Sequence, residues 1–504
     1  MVALAYTVAF EGVSASSVEV QCAVTPGLPA FSIVGLPDKA VSEARERVRA
    51  ALSSMSIALP SKRITINLSP ANLPKEGSHF DLPIALSLLA ALNIVPADEI
   101  ERTISLGELS LSGALVPVVG ALPAAMTAAR EDRTLLCPAA SGAEAAWVGA
   151  AEVIAAKSLA DVVRHFTGQS PLSAAKPGTV SDDAQMKDLR DVKGQERAKS
   201  ALEIAAAGRH HILLVGTPGS GKSMLAARLP SLLPPLSPLE ALETSMIHSL
   251  SGLLDEGGIS RIRPFREPHH TASMPAIIGG GRTAKPGEVS LAHNGVLFMD
   301  EFPEFPRQVL ETLRQPIETG EVMIARANAH IKYPCRFMLV AAANPCRCGY
   351  AFDPARACSK MPLCAQDYMG RISGPLMDRF DLRVEVPPVH FTDLDLPNSG
   401  ETSAVIAQRV AKARDIQEAR FKGHDWMRTN ADAEGETLKN ITLLCEEGKA
   451  YLTKGAERFG LSARGYHRIL RVARTIADLE GARDVAPPHV AEALSFRLSS
   501  FETA

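Results

Sequence analysis

The sequence predicts an α/β chain of several domains with a parallel sheet at its centre. Three observations predict it. The chain has 504 residues, and at roughly 100–200 residues per domain it divides into about three. The apolar run His211–Val215 leads into a Gly-rich string, Gly216 to Ser223, and then into a helical pattern from Met224. About 80 residues on, a second apolar run, Val296–Met299, ends in Asp300-Glu301. Short, wholly apolar runs bounded by glycine or carboxylate read as strands buried on both faces, which is the parallel arrangement.

The remaining elements follow in chain order. Residues 1–166 form a first block, with strand-like runs at Ser17–Val24, Arg63–Leu68, Arg102–Leu106 and Thr134–Cys137. Helical patterns lie between them at Lys39–Met55 and Leu82–Leu92. Residues 167–186 are rich in Pro, Gly, Ser and Ala without periodicity and read as a linker. Residues 187–389 carry the chemistry, 390–402 are a polar connection, and 403–504 are helical.

Composition excludes several classes. With 46% hydrophobic and 22% charged residues the chain is neither disordered nor fibrous. A net charge of −3 means that nucleic acid would be met by a local basic surface, not by bulk charge. The most apolar stretch, Leu82–Ala97, is broken by Pro83, Ser87, Asn93 and Pro96, so no membrane span is expected. The opening MVALAYTVAFEGV lacks the basic start of a signal peptide, and eight cysteines at this length are no disulfide scaffold. A cytoplasmic location is expected.

Gly216, Thr217, Pro218, Gly219, Ser220, Gly221, Lys222 and Ser223 spell G-x-x-x-x-G-K-S between a strand and a helix. Glycines let the backbone curl so that several N–H groups face the phosphates of ATP, and the positive helix end adds to the field. Lys222 then reaches the β- and γ-phosphates, and Ser223 holds Mg2+. Asp300 orients the magnesium shell, while Glu301 polarises the attacking water. A third strand, Phe337–Ala343, ends in Asn344, whose amide could bond that water; a turn former before Pro345 is the plainer reading. Arg379, in SGPLMDRFD, could reach a neighbouring subunit's nucleotide. In LSARGYHRILRVART, Arg464, Arg468 and Arg471 share one helical face and Ile469, Val472, Ala473 and Ile476 the other. A solvated basic face explains the arginines equally well.

These pieces together resemble an AAA+ ATPase. The strings REPHHTASMPAIIGGGRTAKPGEVSLAHNGVLFMDEFPEF, LRQPIETGEVMIARA and AAANPCRCG are similar to magnesium-chelatase-like AAA+ proteins of the YifB/ComM family. The resemblance covers essentially the whole chain and is strongest from Gly194 to Arg383. It implies a P-loop AAA+ α/β core and a C-terminal helical lid. Asn344 becomes the sensor asparagine, Arg379 a finger acting in trans, and Arg464 the lid sensor arginine. The family implies a homo-hexameric ring, and its ComM-type members are described as DNA helicases driving branch migration during natural transformation. Single-stranded or branched DNA and recombination proteins are the implied partners. The other reading is an ATPase that remodels a protein partner, as a magnesium chelatase motor subunit does.

Two insertions interrupt that core. Glu267–Gly287 carries Gly279–Gly281, Arg282, Lys285, His269 and His270. Glu321–Arg336 reads as a hairpin with Arg326, His330 and Lys332 near its tip. In a ring both would face the pore, where positive side chains track a phosphodiester backbone without reading bases; loop solvation is the alternative. In the first block, Pro74–Leu86 and Leu106–Leu122 resemble the Lon-type protease domain, an α+β fold. The nucleophile position falls at His79 and the partner lysine at Pro123, so the Ser–Lys pair is missing, and Ser78 beside it has no base. A noncatalytic module for DNA contact or oligomerisation is expected, with Arg45, Arg47, Arg49, Lys62 and Arg63 as a basic face or as plain surface charge. Finally, Cys346, Cys348, Cys358 and Cys364 follow the sensor strand, and four thiolates so close can hold a structural Zn2+. Reduced cysteines without metal are the equal alternative.

Overall fold

The computed structural model describes residues 2–180, 186–254, 258–281, 284–325, 330–351, 356, 359–389, 400–424, 426–458 and 460–497. Among these, the first block holds a mixed sheet of β1 (Val2–Glu11), β2 (Ser14–Thr25), β3 (Ala30–Val34), β4 (Arg63–Ser69), β5 (Thr103–Ser105), β6 (Thr134–Pro138) and β7 (Val153–Ala156). Their spatial order is β3-β4-β2-β1-β5-β6-β7. The β1/β2 and β2/β4 pairs are antiparallel and the rest parallel. The opening segment, read above only for its lack of a targeting signal, is the central strand β1. The helices Lys39–Ser54 and Asp81–Ala91 form where the periodicity placed them. The first starts on Asp38, whose carboxylate accepts from the Val41 N–H at 2.7 Å. The second is buried on every side, so it reads as a continuous apolar run and not as a stripe.

The linker is not free along its length. Ala174 bridges Ile154, and the Ala175 N–H donates to the Val153 carbonyl at 2.7 Å, so the segment covers the open edge of β7.

The second block is built on a parallel sheet of β8 (Ile212–Gly216), β9 (Phe265–Arg266), β10 (Val296–Met299), β13 (Met338–Ala343) and β14 (Leu382–Val386). Between β10 and β13 the chain makes a two-stranded hairpin, β11 (Glu321–Ala325) and β12 (His330–Pro334). The sheet order is β9-β10-β13-β8-β14. Side chains alternate between two cores. Ile212, Leu214, Phe298 and Val340 face the helix Glu196–Gly208 and the C-terminal helices Ser403–Arg420 and Ala463–Leu479. Leu213, Val215, Leu297 and Leu339 face Phe302, Phe305, Leu310 and the hairpin residues Val322 and Tyr333. Burial on both faces explains why these strands lack any polar alternation.

The first block sits directly on the second. Val13, in the β1–β2 turn, packs against the hairpin-side core. Trp147 packs with Leu236, Ala241 and Ile259. Half-buried Glu144 accepts from the Ser249 hydroxyl and from the Leu122 N–H, and desolvation raises its carboxyl pKa against those bonds.

Candidate nucleotide site

The C-terminal ends of β8, β10 and β13 converge, and the chemistry-bearing residues sit there. Gly216 has no room for a side chain, since a Cβ would lie 2.2 Å from the Val386 carbonyl oxygen. Gly219 and Gly221 adopt φ of +78° and +92° and have open space above them, a cradle of backbone with nothing filling it. Thr217 and Ser220 are buried within the loop. The Lys222 ammonium is also buried and donates to the carbonyls of Gly216 (2.8 Å) and Thr217 (2.9 Å) and to Asn344 Oδ1 (3.2 Å). Burial lowers its pKa, with Asp300 and Glu301 opposing. Ser223 Oγ donates to Asp300 Oδ2 at 2.6 Å, which joins a hydroxyl and a carboxylate into one hard-oxygen pair. This donor set fits a nucleotide triphosphate with Mg2+.

Glu301 departs from the strand in the left-handed region, φ +50°, and its Oε2 lies 3.1 Å from His270 Nδ1. The His270 ring lies against that of His269, tilted by 33° with centroids 4.2 Å apart. Sequence reading placed His270 among loop charges facing a pore; the fold instead brings it to the carboxylate read as polarising water. Gln195 was missed as well. Its side chain donates to the carbonyls of Ser220 (3.3 Å) and Pro387 (2.5 Å), bracing the phosphate loop against the end of β14. Its position beside Gly194 and its φ of +60° mark a turn, and that was the only local signal.

Two further residues lie elsewhere. Arg379 precedes β14, at the end of the sheet opposite the phosphate loop, roughly 15 Å away along the strands. It is buried, donates to the Pro375 and Arg314 carbonyls, and pairs with Glu318 at 2.6 Å. Arg464, largely exposed, reaches the same Glu318 at 3.6 Å. Arg468 and Arg471 correct the solvated-face reading. Arg468 donates to the Arg379 carbonyl and to Asp381 at 2.5 Å, and Arg471 to the Ala433 carbonyl at 2.7 Å. Burial disfavours the Asp381 carboxylate, yet Arg468, His210 and His211 outweigh it and hold the acid well below its usual range.

Of the insertion charges, Lys332 is exposed on β12 and 3.7 Å from Glu321. Lys285 is exposed at a cavity of about 250 Å3 shared with Phe10, His79, Ile331 and Tyr333, so this insertion meets the first block. Arg326 and Arg282 lie outside the described residues. Cys346, Cys348 and Cys364 bring their sulfurs within 4.8 Å of one another, while Cys358 lies outside the described residues. In the first block His79 is buried against the Val8 carbonyl at 2.9 Å, and burial lowers its pKa. Ser78 donates to Glu108. Arg47 is no free surface charge, because it holds the fully buried Asp81 through two bonds of 2.5 and 2.9 Å.

Family models described as subunit ChlI of Mg-chelatase, magnesium chelatase subunit ChlI, and the C-terminal part of that subunit match residues 18–141, 188–394 and 400–497. Competence protein ComM of Haemophilus influenzae is 44% identical over 98% of this chain and 97% of its own length. The chain belongs to the magnesium-chelatase-like YifB/ComM family. YifB of Escherichia coli is 42% identical over 98% of this chain and 96% of its own. The magnesium-chelatase 38 kDa subunit of Rhodobacter capsulatus is 26% identical over 61% of this chain and 85% of its own. Membership of the YifB/ComM family makes the chain an AAA+ ATPase. No helix among the described residues is long and apolar enough to cross a membrane.

Proposed function

We propose that this chain is an ATP-driven hexameric motor that translocates on single-stranded or branched DNA and promotes branch migration in recombination during natural transformation. One observation carries the reading. Arg379 and Arg464 meet on Glu318 at the sheet end opposite the chain's own phosphate loop, which supports a role for them outside that loop. A head-to-tail ring turns that face toward the next subunit's nucleotide. The 44% identical relative, named a competence protein, supports the DNA reading.

In this reading Thr217, Pro218, Ser220 and the loop glycines wrap the phosphates. Lys222 exchanges the Gly216 and Thr217 carbonyls for phosphate oxygens. Ser223 and Asp300 hold Mg2+, which neutralises charge on the β- and γ-phosphates. Asn344 orients water, Glu301 accepts its proton, and His270 holds Glu301 away until nucleotide arrives. Arg379 and Arg464, released from Glu318, stabilise charge developing in the adjoining site. The C-terminal helices act as the lid and the Lon-like first block as a noncatalytic module. Hydrolysis moves the hairpin β11–β12, with Lys332 on its exposed face, and Arg326, Arg282 and Lys285 add charge along the strand's path.

The resemblance to the chelatase subunit favours a second reading, remodelling of a protein partner. ATP hydrolysis measured with and without forked DNA separates the two. DNA should stimulate the wild type. Lys222→Ala should lose nucleotide binding, whereas Glu301→Gln should bind ATP and hydrolyse it about 10²–10⁴-fold more slowly. No stimulation and no DNA binding at moderate salt overturns the DNA motor in favour of the protein remodeller.

A further inference from the structure

We propose that Cys346, Cys348 and Cys364 hold a zinc ion, and that this thiolate clip fixes the turn after the sensor strand against the phosphate loop. The three sulfurs lie within 4.8 Å of one another although they come from two separate elements. Cys346 and Cys348 lie just after β13, and Cys364 lies in the helix Leu363–Met369. Cys346 and Cys348 have sulfurs 3.0 Å apart, beyond the ~2.05 Å of a disulfide. Sulfurs sharing a tetrahedral zinc with bonds of about 2.3 Å stand about 3.8 Å apart, so the cluster closes on the ion with small side-chain shifts. Three soft sulfurs select zinc over magnesium or calcium.

The clip bears on nucleotide through two contacts. The Gly349 N–H closes the turn on the Cys346 carbonyl at 3.0 Å. At φ +87°, a Cβ on Gly349 would come within 2.6 Å of the Pro218 ring, so this turn abuts the phosphate loop. Asn344, two residues before Cys346, holds Lys222 at 3.2 Å. A metal that pins Cys346 thereby pins Asn344 and the wall behind Pro218. This second consequence rests on the nucleotide reading; the metal site does not.

The test uses the purified full chain. Elemental analysis should find about one zinc per chain. Cys364→Ser should lose it, and Cys445→Ser, which changes an exposed cysteine outside the cluster, should keep it. Replacing zinc by Co2+ in the wild type should give sulfur-to-cobalt charge-transfer absorption and tetrahedral d–d bands. Removing the metal should weaken binding of a fluorescent ATP analogue roughly tenfold, and adding zinc should restore it. Zinc content below about half an equivalent, with no cobalt spectrum and freely titratable thiols, overturns the site. If Cys364→Ser does not fold, wild-type metal content and the cobalt spectrum decide alone. Zinc present, but nucleotide affinity unchanged on its removal, overturns the clip's action on the phosphate loop and leaves the ATPase reading intact.

Discussion

His211 shows how a single side chain makes the second block sensitive to acid. Its Nδ1 accepts the Leu339 N–H at 3.0 Å across the sheet, so the ring must stay neutral there. Burial dominates and, with Arg468, Arg209 and His210, pushes its pKa from 6.5 to about 3 against the pull of Asp381. The sign follows. Between about pH 6.5 and pH 3 the unfolded chain takes up a proton that the folded chain refuses, so stability falls as pH falls. The slope from this group is at most about 1.4 kcal/mol per pH unit. Asp381 behaves differently: held below its usual range, it contributes fully above about pH 4 and is lost only in stronger acid. Denaturant unfolding of wild type and His211→Gln across that window should give a shallower dependence for the variant. Parallel curves would assign the acid sensitivity to other buried histidines.

The hairpin β11–β12 is an element whose freedom depends on its neighbour. Gly12, at the β1–β2 turn, has φ +64°, and a Cβ there would lie 2.5 Å from the Lys332 carbonyl oxygen and 3.3 Å from Ile331 Cγ2. The first block therefore rests on β12, and any stroke of the hairpin either carries that block along or breaks the contact. Gly12→Val should part the two surfaces. Faster amide hydrogen exchange at Ile331–Tyr333, with unchanged exchange in the distant strand β4, is the expected outcome. Unchanged protection of the hairpin would show that its own strand pairing, not the first block, holds it in place.

At the scale of the molecule the question is whose nucleotide Arg379 serves. Glu301→Gln subunits have intact arginines and a dead pocket; Arg379→Ala subunits have the reverse. Each alone should be inactive. Mixed in equal amounts in a ring with trans action, about a quarter of the interfaces pair a sound pocket with a sound arginine, and hydrolysis should recover to about that fraction. No recovery in assembled mixed rings would place Arg379 in service of its own subunit.

How much was legible beforehand follows from the distance along the chain over which each feature is defined. The phosphate loop Gly216–Ser223 and the pair Asp300-Glu301 were readable because backbone curl and strand end are set by adjacent residues. The helices Lys39–Ser54 and Asp81–Ala91 were readable because apolar spacing and length are local too. The strand Val2–Glu11 was read only for its lack of a targeting signal, and its place in mid-sheet comes from its pairing with β2 and the distant β5. The sequence by itself marked out the residues proposed to bind phosphate, polarise water and ligate metal. Only the tertiary structure decided that His270 meets Glu301, that Glu318 gathers Arg379 and Arg464, that Asn344 holds Lys222, and that Gly12 meets Lys332. All of these join residues from 31 to 320 positions apart in sequence. Such pairs form only when the strands stack, because no local preference of the chain encodes which distant side chain will share a buried space.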